Sequence, residues 1–376
     1  MTRRRHLLLA GAALTTPRAF AADAGISPGE ILIGQSAVLS GPLGVSVQGY
    51  TAGARLALDE ANSRGGIAGR QVTLVSMDDG LVPDRAVANY KTLLTERGVF
   101  AFFGGVGSGT IAAAVPVLTE SRAPLIGNFA VSDAVREKAA GHAYFVRATY
   151  SREAGRLVQH LATIGIQRIA VAHLDNPGGL EVLTLVKAAA QQHPGTTVVA
   201  SAAVKNDGSN AVVAGQALAA AEPQTVLLFL AGPPVAQLMK AIHTGGASVT
   251  FYGMSVVAGD LVAKDMAGKL RSLATSQVVP YPWADADATT RRFRERCAQA
   301  QVPVAYHTFE GYLNGLVLLE ALRQAGRTPN RASLHEAVRN LRARIGDVEI
   351  DFTGGQHTGS RFVELVHVTA DGRFLR

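Results

Sequence analysis

Residues 31–79 constrain the fold more than any other stretch of the chain. An apolar run, Ile31-Leu32-Ile33-Gly34, leads into the glycine-broken loop Leu39-Ser40-Gly41-Pro42-Leu43-Gly44. A helical pattern follows, with Tyr50, Ala54, Ala57 and Ala61 on one face and Arg55, Asp59 and Asn62 off it. The segment from Arg64 to Arg70 stops that helix with glycine and feeds the strand Gln71-Val72-Thr73-Leu74-Val75. Strand, loop, helix and strand in this order make a parallel unit. In open sheets of this kind small molecules bind outside the carboxyl ends of the strands, where loops and helix N-termini present free donors.

The alternation continues. A helix around Val87, Tyr90 and Leu94 precedes the strand Phe100-Ala101-Phe102-Phe103, and a helix from Ile111 to Glu120 precedes Pro124-Leu125-Ile126-Gly127. Tyr144 to Thr149 reads as an extended crossover, after which a second set of units begins. Its strands are expected at Arg168 to Leu174, Thr196 to Ala200, Thr225 to Leu230 and Thr250 to Gly253. Its helices are expected around Leu157 to Ile164, Leu183 to Ala190, Asn210 to Ala221 and Val235 to Thr244. Ala274 to Pro280 reads as a second crossover, followed by Tyr281-Pro282-Trp283 and a strong helix carrying Phe309, Tyr312, Leu316, Leu319 and Leu322. Gly346 to Phe352 reads as a third, and Arg361 to Leu365 with Asp371 to Phe374 as a terminal hairpin.

The chain opens with Arg3-Arg4-Arg5, an apolar Leu7 to Leu14 and Ala19-Phe20-Ala21, the pattern of a secretory signal peptide cleaved near Ala21. Thr2-Arg3-Arg4 fits a twin-arginine signal as well as a general one. Removing residues 1–21 lowers Lys+Arg from 36 to 32 against 29 acidic residues, so the net charge falls from +7 to +3. The basic excess is thus partly a property of the signal and is no nucleic-acid footprint. No later stretch reaches roughly 18 apolar residues, so no membrane insertion is expected. The single cysteine, Cys297, falls on an apparent helix and has no partner for an internal disulfide. About 355 remaining residues exceed one ordinary core, which implies two domains.

Catalytic and cofactor motifs are missing from the sequence. Gly104-Gly105-Val106-Gly107-Ser108-Gly109-Thr110 fails as a dinucleotide fingerprint because Thr110 stands at the last glycine, and no P-loop Lys-Ser/Thr pair follows it. Ser108 lacks the flanking pattern of a nucleophile elbow. The histidines, His160, His173 and His307 among them, form no zinc spacing and read as surface or core residues. The glycine loop itself reads either as an anion-binding turn, with the Ser108 hydroxyl and the positive end of the following helix, or as a turn that merely caps that helix.

Ser40-Gly41-Pro42, Gly53-Ala54, Leu56-Ala57, Glu60-Ala61-Asn62, the Gly65 to Arg70 segment and Asp78-Asp79 follow in order and spacing the pattern of a known family. So do Glu310-Gly311-Tyr312 and Glu320 to Gly326. The chain resembles the type I periplasmic solute-binding proteins of ABC importers, the branched-chain amino acid (leucine/isoleucine/valine-binding) family. That resemblance implies an α/β fold of two Rossmann-like lobes with parallel-sheet cores joined by three hinge crossovers. It implies lobe 1 from residues 26–147 plus 278–347 and lobe 2 from 148–277 plus 348–376. It also implies a periplasmic, non-enzymatic monomer without a cofactor that takes a small ligand between its lobes and delivers it to an ABC permease in the inner membrane.

Carried over residue by residue, the resemblance puts Ser108 on the carboxylate, with Gly109 and Thr110 beside it and Ser40 near. Asn128, Phe129 and Ala130 form the second ligand loop, where Phe129 either stacks on ligand or fills core and Ser132 either binds or caps a helix. Tyr150, Asn176, Gly232 and Ser255 close from lobe 2, and Tyr281 and Trp283 either line the cleft or pack at the surface. Lobe 2 departs from the family. Asp175-Asn176-Pro177-Gly178-Gly179 lacks the usual tyrosine, and Ser255 stands where many members carry the acidic acceptor of an ammonium group. A neutral serine cannot balance a buried cation. An amine-free aliphatic or aromatic acid therefore fits the visible groups as well as an amino acid does. A sensor of the same fold, docking to a signalling receptor, would show the same sequence features; a secreted enzyme would need a nucleophile, metal or cofactor motif.

Overall fold

The computed structural model describes residues 24–376 apart from position 247, so the signal peptide assigned to residues 1–21 lies outside the described residues. The first half of the chain runs β1 (Glu30–Ala37), α1 (Gly41–Ser63), β2 (Gln71–Asp78), α2 (Pro83–Thr95), β3 (Ala101–Val106), α3 (Ser108–Ser121), β4 (Leu125–Phe129), α4 (Asp133–Lys138), β5 (Ala143–Tyr144). These strands form a parallel sheet in the order β2-β1-β3-β4-β5. Every residue of β3 and β4 is buried, as expected of a parallel sheet covered by helices on both faces.

The chain continues through α5 (Tyr150–Thr163), β6 (Arg168–Leu174), α6 (Pro177–Gln191), β7 (Thr197–Val204), α7 (Ala211–Ala219), β8 (Thr225–Phe229), α8 (Pro233–Thr244), β9 (Thr250–Gly253), α9 (Gly259–Met266) and β10 (Ala274–Gln277). It ends with α10 (Ala288–Ala300), α11 (Tyr306–Gln324), α12 (Arg331–Arg339), β11 (Arg342–Ile345), β12 (Val348–Asp351), β13 (Glu364–Val368) and β14 (Phe374–Leu375). The second sheet has the order β14-β13-β10-β9-β8-β6-β7. Its strands are parallel from β7 to β10, whereas β13 and β14 add antiparallel as the expected terminal hairpin.

Helix α11 returns to the first sheet by packing on α1 at backbone contact. A Cβ on Gly53 would lie 1.8 Å from the Thr308 carbonyl oxygen, and one on Gly311 would lie 1.8 Å from that of Tyr50. Glycine at these two positions is therefore a packing requirement.

Two readings of the connections need correction. Ala274–Gln277 is a strand of the second sheet, so the second crossover begins only at Val278. Residues 342–351 form a separate antiparallel hairpin in which Ile345 pairs with Val348 across Gly346 (φ 56°) and Asp347 (φ 66°). Two positive φ values are what a two-residue primed turn demands, and Gly-Asp supplies them. The backbone pairing between connections lies further on: Phe145 N–H donates to the His357 carbonyl (2.8 Å), and Gly359 and Ser360 N–H donate to those of Phe145 and Val146 (2.8 Å each). Helices α9 and α12 were not foreseen, although the Asn330 and Ser333 capping box starts α12.

Candidate functional site

The ends of β3 and β4 bring the lobe 1 candidates together. Gly107, at φ 84°, turns the chain so that Ser108 opens α3. The Ser108 side chain is buried, and its Oγ accepts the Ser132 backbone N–H at 3.0 Å. The glycine loop and the loop after β4 are thus joined at this hydroxyl. Gly109 is half-buried on the same turn. Thr110 turns inward instead, its hydroxyl donating to the carbonyls of Val106 and Gly107, so it holds the turn rather than facing the cleft.

Beyond β4, Ala130 takes φ 53°, a costly conformation for a residue with a Cβ. Asn128 is fully buried, and both of its side-chain polar atoms lack a hydrogen-bond partner. Phe129 packs edge-on against Tyr50 at 5.8 Å and lies under the Arg147 guanidinium at 5.2 Å, while also lining the space between the lobes. The packing reading of this residue is therefore met, and its place on that wall leaves it beside whatever enters the space. Ser132 occupies the N-cap of α4 without its hydroxyl capping it. Ser40 is exposed, and its hydroxyl donates to Asp78 Oδ2 at 2.8 Å, which places it on the rim with its proton engaged.

From the other lobe, α6 presses its first turn against Ser108. A Cβ on Gly178 would lie 2.8 Å from Ser108 Oγ, and the Asn176 side chain accepts Gly179 N–H at 2.9 Å, so Asn176 caps α6. Gly232, at φ 65°, meets Pro42 across the cleft; a Cβ there would lie 2.5 Å from the Pro42 carbonyl oxygen. Glu181, on α6, reaches the other lobe and accepts the N–H groups of Asp133 (2.7 Å) and Ala134 (3.2 Å) with one oxygen. It supplies the α4 cap that Ser132 does not. Asp133 in turn accepts Tyr150 and Ser151 N–H at the start of α5. Tyr150 is buried with its ring edge-on to Phe229.

Ser255 follows β9, is half-buried and lines the interlobe space with Ser46, Phe129, Asp260, Gln277 and His307. That space is about 10 Å³, roughly the room of one water molecule. Behind Ser255 lies a buried ionic cluster. Arg147, on the first connection, faces Glu153 of α5 at 3.3 Å and Glu310 of α11 at 3.4 Å, and its Nη2 donates to Ser255 Oγ. Glu153 Oε2 accepts Ser255 N–H (2.8 Å) and the Ser276 hydroxyl (2.7 Å). Burial pushes the Glu310 carboxyl up to about 7, with Arg147 opposing and Glu153 reinforcing the shift. Arg136 of α4 ties the same connection down by donating to the carbonyls of Arg147 (2.8 Å) and Ala148 (2.9 Å).

Arg147, Glu153, Glu181 and Glu310 carry little local signal in the sequence, because what joins them is contact between separate elements. Glu310 alone carried a signal, since it opens the family-like Glu310-Gly311-Tyr312. Tyr281 and Trp283 join Tyr306 and Phe374 in an aromatic cluster where Trp283 stacks on Phe374 at 5.6 Å, which favours the packing reading. A far more voluminous surface cleft, about 1090 Å³, lies elsewhere, among Arg70, Arg122, His142, Arg331, His335 and Arg339. Among the described residues no group of His, Cys, Asp or Glu could hold a metal, and no helix is long and apolar enough to cross a membrane.

Two sheet-centred lobes meeting over a serine at a helix start define a cleft-type solute-binding protein. The chain belongs to the periplasmic binding protein family, whose model matches residues 30–373. A curated relative, the Leu/Ile/Val-binding protein homolog 7 of Brucella abortus (strain 2308), is 26% identical over 218 residues, covering 51% of this chain and 54% of the relative. The chain thus spans about half the length of the curated relatives it matches. A substrate-binding periplasmic protein from Ralstonia solanacearum matches at 27% identity and TM-score 0.85, over 92% of this chain and 99% of that one. An ABC transporter solute-binding protein from R. palustris, in complex with 4-hydroxybenzoate, shares the fold at 16% identity and TM-score 0.79, over 92% and 95% of the two chains.

Proposed function

We propose that this solute-binding protein captures a small carboxylate between its lobes in the periplasm and delivers it to an ABC permease. The observation that carries this reading is the Ser108 hydroxyl. It is buried at the start of α3, linked to the loop after β4 and covered from the opposite lobe by Gly178. A carboxylate held there meets the hydroxyl and the positive end of a 14-residue helix. The interlobe space is far smaller than any amino acid, so the lobes part to admit the ligand and close on it. A ligand that touches both lobes stabilises the closed arrangement by its differential affinity for that state. Ser108, the Asn128–Ala130 loop, Tyr150, Gly232 and Ser255 supply the surroundings of the bound molecule, and Thr110 and Asn176 shape them indirectly.

Titration calorimetry on the mature protein, with amino acids and amine-free carboxylates as two panels, tests the reading. Ser108→Ala is expected to weaken binding of the preferred carboxylate by about 1–3 kcal/mol, the scale of a buried hydrogen-bond partner lost. Unchanged affinity would remove Ser108 from the site. Stimulation of ATP hydrolysis by the cognate permease in the presence of loaded protein, and not of the Ser108→Ala form, would test delivery.

A further inference from the structure

We infer that one ordered water molecule sits where the connections between the lobes come together, accepting hydrogen bonds from Arg147 and donating to Glu310. Lobe 2 then holds this arginine directly, and lobe 1 holds it through the water.

The place is a space of about 10 Å³, roughly the room of one water molecule. Its walls are largely apolar: Val146 from the first connection, Val278 and Val279 from the second, and Val348 and Ile350 of β12. The side chains of Arg147, Glu310 and Asn314 also line it, and these residues are only 2%, 3% and 1% exposed. Charged and amide groups this deeply buried need partners inside the fold.

The hydrogen bonding of Arg147 is one-sided. Toward lobe 2 its Nη2 donates to Glu153 Oε1 at 3.3 Å and to Ser255 Oγ. Among the described residues its Nη1 and Nε have no hydrogen-bond partner. Glu310 Oε1 stands 3.4 Å from Nη1 and has no hydrogen-bond partner either. That separation allows attraction between the charges but is longer than the roughly 2.7–2.9 Å of a charge-assisted bond. Asn314 gives its Nδ2 to the Glu310 carbonyl at 2.8 Å and leaves its Oδ1 unpartnered.

The valine and isoleucine walls can satisfy none of these atoms. A water can satisfy them all, with two protons for Glu310 Oε1 and Asn314 Oδ1 and two lone pairs for Arg147 Nη1 and Nε. The complement matches in number and in polarity. No simple ion does as well, because an anion would face the carboxylate and a cation the guanidinium. Arg147 lies on the first connection, Glu153 on α5 and Glu310 on α11. A bridging water lets the distance from Arg147 to Glu310 change as the connections twist while both groups stay hydrogen-bonded.

The test has two arms, both on the parent mature chain. A crystal structure at a resolution that shows ordered water is expected to place a water peak within roughly 2.6–3.2 Å of Glu310 Oε1 and of Arg147 Nη1 or Nε. In solution the Arg147 Nε–H is expected to show cross-relaxation with water, of the sign that marks a long-lived bound molecule and not proton exchange. A direct bond between Nη1 and Oε1 with no density beside it would overturn the inference, as would an empty space with the pair unchanged. A crystal peak without the solution signal would be a water held only under crystal conditions, and it counts against the inference equally. Glu310→Leu, with its fold checked by thermal midpoint, is expected to abolish the signal. Persistence of the signal in the folded variant would put the water elsewhere and sink the assignment; if the variant does not fold, the two measurements on the parent decide.

Discussion

Glu181 offers the clearest separation of lobe closure from ligand chemistry. It sits on α6 of lobe 2, yet one oxygen of its carboxylate accepts two backbone N–H groups at the start of α4 in lobe 1, from Asp133 at 2.7 Å and Ala134 at 3.2 Å. Hydrogen bonds to a charged partner contribute roughly 1.5–3 kcal/mol. One of these bonds is long and the side chain is only half-buried, so the lower figure applies. When the lobes part, water replaces both partners, and the loss caused by Glu181→Ala falls on the closed form alone. About 1.5 kcal/mol is about tenfold in an equilibrium constant. We expect Glu181→Ala to weaken every ligand that needs the closed form by about that factor, without reordering the ligands. Glu181→Gln, which keeps an oxygen and loses the charge, should fall between. Titration calorimetry gives the affinities, and small-angle scattering of the ligand-free protein should show a larger radius of gyration for the alanine variant. An affinity within about twofold of the parent together with an unchanged radius would refute the reasoning. The contact would then be an incidental one that closure does not depend on.

Two further outcomes follow from packing and from burial of charge. Gly53→Ala puts a Cβ 1.8 Å from a backbone oxygen of α11, so the two helices must separate; we expect a loss of about 1–3 kcal/mol or more in chemical denaturation, with the order of ligand preference unchanged. Glu310 has its carboxyl raised by burial from 4.5 to about 7, so the folded protein holds a proton that the unfolded chain releases earlier. Its contribution to stability is present below pH 4.5, declines as pH rises toward 7 and is lost above it, a span of order 3 kcal/mol. Glu310→Gln should flatten that slope in unfolding measurements at a series of pH values, and a slope of the same size in the variant would assign it to other groups.

The parallel units were legible because a buried strand followed by a glycine turn and an amphipathic helix has few other solutions. The run from Ile31 to Val75 and the fully buried β4 illustrate this. Ser108 was legible too, since a hydroxyl after a glycine turn at a helix start is a local pattern. Segments whose structure depends on long-range pairing were not. Gly346 to Phe352 reads in sequence as a crossover although Gly346-Asp347 is a primed-turn signal, and the partner strand at Arg342–Ile345 that makes it a hairpin carries no strong local pattern. Thr110 and Ser40 show a related limit. A hydroxyl in the right loop can be spent on its own backbone or on a neighbouring carboxylate, and only coordinates reveal which. The hidden members of the site, Arg147, Glu153, Glu181 and Glu310, are charged residues in three different helices and one connection. Their meaning comes from who faces whom.

Closure and ligand contact are expected to be carried by different groups. Glu181 bonds from one lobe to backbone N–H groups of the other, so it is expected to set how much of the population is closed and to scale the apparent affinity of every ligand alike. In the proposed site Ser108 meets the carboxylate that all such ligands share, so it is expected to add affinity without choosing among them. An acidic residue substituted at position 255 is not expected to stand free to meet a ligand. The new carboxylate would be drawn to Arg147, already within reach of the present side chain, and that pairing would compete with any ammonium. Positions 255 and 147 touch and are therefore expected to act together on affinity, which the double substitution compared with each single one would measure as a non-additive effect.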